Sequence, residues 1–173
     1  NDPLERFMDL HLVRETVSTE YAKRAEKLFS LKENPRFGYA YETLGWLCSV
    51  LSLKSDLGLR LREAYKAGDK AALKKAADDD IPKIIDYLEK FISAYRRQWY
   101  HENKTFGFIA QEIRLGGLTE RMRSVKMRLD DYAEGMTDRI EELETEPLPY
   151  SPDKVGNYHP HIGWRNILTA GQL

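Results

Sequence analysis

The chain of 173 residues has little cysteine, no excess of charge and no long apolar run. Its one cysteine, Cys48, excludes an internal disulfide and lies in an apolar segment. We therefore expect a buried thiol in a reducing compartment, the cytoplasm. The 27 basic and 28 acidic residues nearly balance, which argues against nucleic acid or an anionic membrane as partner. No run approaches the roughly 18 apolar residues of a membrane-spanning helix, so we expect a soluble protein.

Catalytic and metal-binding motifs are also scarce. The sequence contains no glycine-rich phosphate loop, nucleophile elbow or zinc spacing. His159 and His161 flank a proline, and no cysteine or carboxylate lies nearby to complete a metal site. We expect neither a metal nor a cofactor.

Three acidic runs resemble paired catalytic carboxylates at first sight: Asp78 to Asp80, Asp130-Asp131 and Glu141-Glu142. We interpret the first as the end of one helix and the cap of the next. The other two fall on a polar helix face, at helical spacing from Arg128 and Arg139. Solvated helix surfaces explain all three runs without catalysis.

Helical spacing of apolar residues dominates the rest of the sequence, with turn signals at Asn34-Pro35, Asp56, Gly68 and Asp69. It predicts an all-α bundle of about six helices over residues 1–146, followed by an irregular tail, 147–173, that packs on the bundle or on a neighbouring domain. The first helix is expected from about Pro3 to Leu31. Because the chain opens on Asn1 rather than methionine, we expect a segment of a longer polypeptide.

Five further helices are predicted from these patterns, and one of them is a short helix through Leu61 and Tyr65, between Asp56 and Gly68. The second should bury Leu44, Leu47 and Leu51, and the short, Ala- and Lys-rich helix from Lys70 to Asp78 should lie on the surface. Two long helices follow, one with an apolar stripe from Ile81 to Trp99 and one with a stripe from Ile109 to Leu143. Gly116 and Gly117 interrupt the last stripe, which predicts either a kink or the close approach of another backbone.

The junction between the two long helices, Trp99 to Phe108, reads WYHENKTFGF and is unlike its surroundings. On one interpretation Trp99 closes the helix stripe, Asn103 helps the turn, and Phe106 and Phe108 plug the end of the bundle. On the other, an aromatic platform carries a polar cluster that docks on another domain or subunit. The candidate docking residues are Trp99, Glu102, Asn103, Lys104, Phe106, Phe108 and Arg114.

The same junction carries a family resemblance, together with the segment Ile113-Arg-Leu-Gly-Gly-Leu118 and the residues Arg121, Asp131-Tyr132 and Asp138 to Leu143. From about Leu53 to Leu143 the sequence resembles the C-terminal helical domain of a bacterial branch of glycoside hydrolase family 20, the exo-acting β-N-acetylhexosaminidases. The resemblance implies a catalytic (β/α) barrel in the same polypeptide as partner, a β-linked N-acetylhexosamine glycan as the substrate of that barrel, and a possible homodimer.

The catalytic residues of that family do not carry over. Its enzymes use an adjacent Asp-Glu pair in the barrel, in which Glu protonates the leaving oxygen and Asp orients the acetamido group of the substrate. This sequence contains no Asp-Glu dipeptide. It therefore predicts a non-catalytic domain that supports the barrel; the alternative is an independent helical module for protein interaction or dimerisation.

Overall fold

A computed structural model describes residues 2–4 and 17–145 of the protein, and these residues form helices and no strand. The predicted all-α architecture is confirmed. In chain order the helices are α1 (Val17–Phe29), α2 (Gly38–Lys54), α3 (Leu57–Lys66), α4 (Lys70–Lys75), α5 (Ile81–Glu102), α6 (Phe108–Glu134) and α7 (Glu141–Glu144). A π-helical turn, Ala76–Asp80, joins α4 to α5. The C-terminal tail, with His159 and His161, lies outside the described residues.

The long helices pack side by side in chain order: α1 on α2, α2 on α5, and α5 on α6. The predicted stripe of α5 is confirmed, since Ile81, Ile84, Leu88 and Phe91 are buried in the common core. On α6 the buried residues Met122, Val125 and Leu129 face them. Helices α4 and α6 also contact each other, which closes the core on its remaining side.

The buried face predicted for α2 was wrong at Leu44, which is 47% exposed. Buried instead are Gly45 and its neighbour Ser49, whose hydroxyl donates to the Gly45 carbonyl at 3.0 Å. The reason is the close packing of α1, because a Cβ on Gly45 would lie only 2.8 Å from the Phe29 ring. A small residue, rather than a leucine, sets the contact face.

The surface position predicted for α4 was also wrong on one face. Leu73, Ala76 and Ala77 are buried, and the acidic run Asp78 to Asp80 does not separate two helices. The chain passes through the π turn directly into α5, and Asp80 makes no capping hydrogen bond. A π turn holds more residues than an α turn, so it rotates the following side chains relative to those of α4. The predicted cap at Asp69 is confirmed by its hydrogen bond from the Ala72 N–H at 2.9 Å.

Helix α6 is shorter than predicted, since it ends at Glu134 rather than near Leu143. Gly135 takes a left-handed conformation with φ of 78°, and the Met136 N–H returns to the Asp131 carbonyl at 2.7 Å. This is a Schellman-type helix end, which favours glycine. Met136 is consequently 75% exposed, although the stripe had placed it in the core.

Gly116 and Gly117 do not break α6, which runs through both. No atom of the described chain lies within 4 Å of a Cβ built on either glycine. The predicted close approach of another backbone is therefore not found among the described residues. No helix between residues 17 and 145 is long and apolar enough to span a membrane.

A candidate docking surface at one end of the bundle

The junction between α5 and α6 is a short turn held by its own aromatic residues. Asn103 ends α5, and its N–H donates to the Trp99 carbonyl at 2.8 Å. The Trp99 indole Nε1 in turn donates to the Lys104 carbonyl at 3.0 Å. Gly107 has φ of 95°, a conformation that L side chains rarely adopt, and immediately precedes α6. Sequence and geometry thus fix a defined turn here.

Phe108 is the anchor of this turn inside the fold. It is 1% exposed, and its ring lies 5.5 Å from Tyr95, 5.7 Å from Trp99 and 5.7 Å from Tyr100, measured between ring centroids. The Arg96 guanidinium lies 5.8 Å from the Phe108 ring centroid and also binds Glu112 at 3.1 Å. Such edge-to-face aromatic contacts add to the free energy of burial. Phe108 therefore has no surface of its own to offer a partner.

Phe106 behaves in the opposite way. It lies two residues earlier and is 85% exposed, so it does not plug the bundle. A phenylalanine exposed to this extent in a turn held by two specific hydrogen bonds is unusual, since large apolar side chains are usually at least partly buried. It is the most exposed large hydrophobic residue in the part of the chain that the structure describes.

Among the polar residues of the turn, Glu102 forms hydrogen bonds within the chain, whereas the side chains of Asn103 and Lys104 are exposed to solvent. Glu102 accepts a hydrogen bond from Gln98 Nε2 at 3.2 Å. Its hydrogen bond with Tyr39, followed by burial, raises the pKa of that phenol. The side chains of Asn103 and Lys104 are exposed. Arg114 lies apart from the turn, about two helical turns into α6.

The sequence patterns did not identify four apolar residues that accompany Phe106. Tyr39 at the start of α2 contacts His101 at the end of α5, with 4.7 Å between ring centroids, so the α1–α2 and α5–α6 turns are neighbours. Leu31 and Phe37 in the first turn are 42% and 43% exposed, and Tyr100 and Ile109 beside the second are 50% and 53% exposed. We call Leu31, Phe37, Tyr100, Phe106 and Ile109 together the apolar end.

A sequence signal for this surface exists in retrospect, because each of these apolar residues stands within a few positions of a turn residue such as Asn34 or Asn103. Apolar residues at helix ends lie beyond the regular buried stripe. Exposed apolar side chains that lie close together commonly mark interaction sites.

Within residues 2–4 and 17–145, no three His, Cys, Asp or Glu side chains are arranged so that they could hold a metal ion. The acidic runs in this range bind basic side chains: Asp130 binds Lys74 at 2.7 Å, and Glu142 binds Arg128 at 2.6 Å. They form ion pairs, but these partners are not the ones at helical spacing that the sequence predicted, since Lys74 lies 56 residues from Asp130 and Arg128 lies 14 residues from Glu142.

Comparison with protein families assigns the chain to a known domain type. The family model of the glycoside hydrolase 20C C-terminal domain matches residues 1–162. The chain belongs to this family. The resemblance seen at the α5–α6 junction is thereby confirmed. A search among curated proteins gives no significant match.

Family membership implies a catalytic domain in the same polypeptide, and that parent protein is a glycoside hydrolase. As a C-terminal domain, the chain follows the catalytic domain in sequence. The family of C-terminal domains is not itself catalytic. An exposed apolar surface on such a domain therefore raises the question of what covers it.

Proposed function

We propose that this chain is the non-catalytic helical domain of an exo-acting β-N-acetylhexosaminidase and that its apolar end docks on the catalytic barrel. The observation that carries the proposal is Phe106, which is 85% exposed in a turn that the Trp99 indole and Gly107 hold in one shape. Burial of this ring in a partner would contribute about 2 kcal/mol. Interface energy commonly concentrates in a few such aromatic anchors.

The residues around Phe106 complete the proposed interface. Asn103 and Lys104 supply exposed polar groups at its rim, while Trp99 and Phe108 hold the turn from within. Glu102 connects the turn to Tyr39 of α2, so a partner that contacts the α5–α6 turn also reaches Phe37. This arrangement of an apolar centre and a polar rim is typical of protein interfaces.

Within the whole enzyme, the domain would support the barrel that hydrolyses terminal β-linked N-acetylhexosamine residues. We expect the isolated chain to have no such activity, because its sequence lacks the Asp-Glu pair of the family. Turnover of an aryl β-N-acetylglucosaminide by the pure chain, abolished by a substitution within it, would contradict this expectation.

Docking is tested in the full polypeptide with Phe106→Ala and a matched control, Met136→Ala. Both side chains are highly exposed, at 85% and 75%, but they lie beyond opposite ends of α6, about 40 Å apart. Phe106→Ala should speed proteolytic cleavage between the domains and lower kcat/KM, whereas Met136→Ala should change neither. Equal behaviour of the two variants would refute docking through the apolar end.

A second candidate function is dimerisation through the same surface, since exposed apolar side chains also fit a second copy of the chain. Sedimentation equilibrium of the full polypeptide separates the two, because dimerisation predicts that Phe106→Ala converts a dimer to a monomer. Docking on the barrel predicts no change in mass. The cytoplasmic location also stays a prediction; it rests on the free thiol of Cys48, whose pKa is raised by burial.

A further inference from the structure

Three arginines recur every seven residues along α6, at positions 114, 121 and 128. Seven residues make nearly two full turns, so the three side chains lie on one flank of the helix, about 10 Å apart. Two of them bind carboxylates from distant parts of the chain. Arg128 donates to Glu141 at 2.9 Å and to Glu142 at 2.6 Å, and Arg121 donates to both oxygens of Asp2, at 2.5 and 3.0 Å.

Arg114 has no such carboxylate among residues 2–4 and 17–145. Its Nε is buried from solvent and has no hydrogen-bond partner. A buried donor without an acceptor loses its hydration and gains nothing in return, so such groups are rare in folded proteins. Arg121 and Arg128, on the same flank, each form hydrogen bonds with a carboxylate from outside α6.

The N-terminal residues show which part of the polypeptide approaches this flank. Asp2 is bound at Arg121, and Leu4 is fully buried in the core beside it. The catalytic domain of the same polypeptide precedes these residues. The segment that carries Asp2 thus lies beside Arg121, one heptad from Arg114.

The position of Gly117 also fits an approach of another part of the polypeptide to this flank of α6. It lies three residues after Arg114 and four before Arg121, which places it between them on the flank. Gly117 is exposed, and a Cβ there would meet nothing within 4 Å. Glycine in a helix interior lowers stability relative to alanine, and its bare backbone permits another chain to come close.

We propose that the guanidinium of Arg114 binds an Asp or Glu carboxylate of the catalytic domain in the same polypeptide. This inference rests on the proposed docking function and adds to it the chemistry of one contact and a second contact area along α6. Arg114 as a whole is partly exposed although its Nε is buried, so a carboxylate from outside would bind the two Nη atoms of the planar guanidinium.

The partner can be identified by a zero-length cross-link. In the full polypeptide, Arg114→Lys places an amine at this position, and a water-soluble carbodiimide joins it to a contacting carboxylate. Mass spectrometry should find a new peptide pair, absent from the wild type, between Lys at 114 and an acidic residue of the catalytic domain. Only cross-links within residues 1–173, or no new cross-link, would overturn the proposal. A mixture of ¹⁴N- and ¹⁵N-labelled protein detects a cross-link between two copies, which would also overturn it.

Charge reversal provides an independent measurement. Arg114→Glu should increase the rate of proteolysis between the domains about tenfold, because it places a second negative charge beside the carboxylate of the catalytic domain in a desolvated contact. The matched control is Arg123→Glu on another face of α6, where Arg123 binds the exposed carboxylates of Glu89 and Glu120. The control should stay within about twofold of the wild type. Equal rates for the two variants would overturn the proposal.

The results also distinguish this inference from the docking function on which it rests. If Phe106→Ala separates the domains and Arg114→Glu behaves like Arg123→Glu, the docking function stands and the role of Arg114 is wrong. If neither variant separates them, both proposals fail. Far-ultraviolet circular dichroism of each variant verifies that the helices remain folded.

Discussion

The two ends of α6 are finished in different ways. Near its N-terminus lies the apolar end, whose five large apolar side chains are partly or largely exposed. At its C-terminal end, Ile140 and Leu143 fold back into the core and are 0% and 1% exposed. At the C-terminal end the chain thus covers its own core residues, although Met136 is 75% exposed there, whereas the apolar end is left open.

Polar groups complete the covered end. The Tyr65 hydroxyl accepts the Ile140 N–H at 3.0 Å and donates to Glu144 at 2.7 Å. Lys74 binds Asp130 and Glu134, at 2.7 and 3.2 Å. The α5–α6 turn also has hydrogen bonds, from Gln98 to Glu102 and from Trp99 to Lys104, but they leave Phe106 exposed. At the C-terminal end of α6 the chain buries Ile140 and Leu143 and exposes charged side chains, as suits contact with water. The exposed Phe106 at the other end is better explained by contact with another protein surface.

The largest expected effect separates the two phenylalanines of the open end. Phe108→Ala should lower the free energy of unfolding by about 3 to 5 kcal/mol, since it removes a fully buried ring from an aromatic cluster. Phe106→Ala should change it by less than about 0.5 kcal/mol. Urea unfolding of the isolated chain, followed by circular dichroism, measures both. A loss below about 0.5 kcal/mol for Phe108→Ala would show that the cluster does not stabilise the turn.

Core leucines midway between the two ends should show the next largest effect. Leu88→Ala in α5 and Leu129→Ala in α6 should each cost about 2 to 5 kcal/mol, because both side chains are at most 1% exposed. The control is Leu44→Ala, which removes the same atoms from a side chain that is 47% exposed. If the free energy of unfolding falls by the same small amount in all three variants, the apolar stripes face solvent in the isolated chain.

The sequence predicts a helix and its buried face correctly where the spacing of apolar residues is regular and no turn residue interrupts it. The stripe of α5 is long and regular, so its buried face was predicted correctly. The stripe of α6 continued past Gly135 to Leu143, so the end of the helix at Glu134 was not predicted. Which glycine takes the left-handed conformation depends on tertiary packing, because α7 must turn back toward α3.

The candidate site was predictable only in part, for a similar reason. The sequence marks Trp99 to Phe108 as unusual, but it cannot say which phenylalanine points inward. That choice depends on the residue at which α6 begins, because Phe108 is its first residue and Phe106 lies two residues before it. The contact of Asp2 with Arg121 joins residues 119 positions apart, and no local pattern reports such a pair.

A smaller effect concerns pH and the covered end. Burial raises the pKa of Asp130, but hydrogen bonds from the ammonium groups of Lys126 and Lys74 outweigh it and hold the pKa below its ordinary value. A carboxylate with a lowered pKa stabilises the fold above its unfolded-state pKa, near 3.9, and this contribution is lost as the pH falls through the folded value. Asp130→Asn should therefore cost roughly 1 kcal/mol at pH 7 and almost nothing at pH 2 to 3.

Urea unfolding at several pH values between 2 and 7 measures this convergence. The control Asp138→Asn changes an exposed carboxylate for which no ion pair is present within residues 17–145, so its curve should parallel that of the wild type. A stability difference for Asp130→Asn that stays constant down to pH 2 would mean that its ion pairs contribute no net free energy.

The smallest effect on folding is expected at the polar rim of the open end. The double substitution Glu102→Ala with Lys104→Ala removes two exposed charges, and exposed charges contribute little to folding. Its cost comes from the hydrogen bonds of Glu102 with Tyr39 and Gln98, so the melting temperature of the isolated chain should fall by only a few degrees. In the full polypeptide the same change should weaken domain docking or dimerisation and lower activity. Thermal melts of the isolated chain, together with kcat/KM and interdomain proteolysis of the whole enzyme, measure the two effects separately. If assembly and kinetics are unchanged while the isolated chain loses more than about 2 kcal/mol, these residues serve only the helix turn.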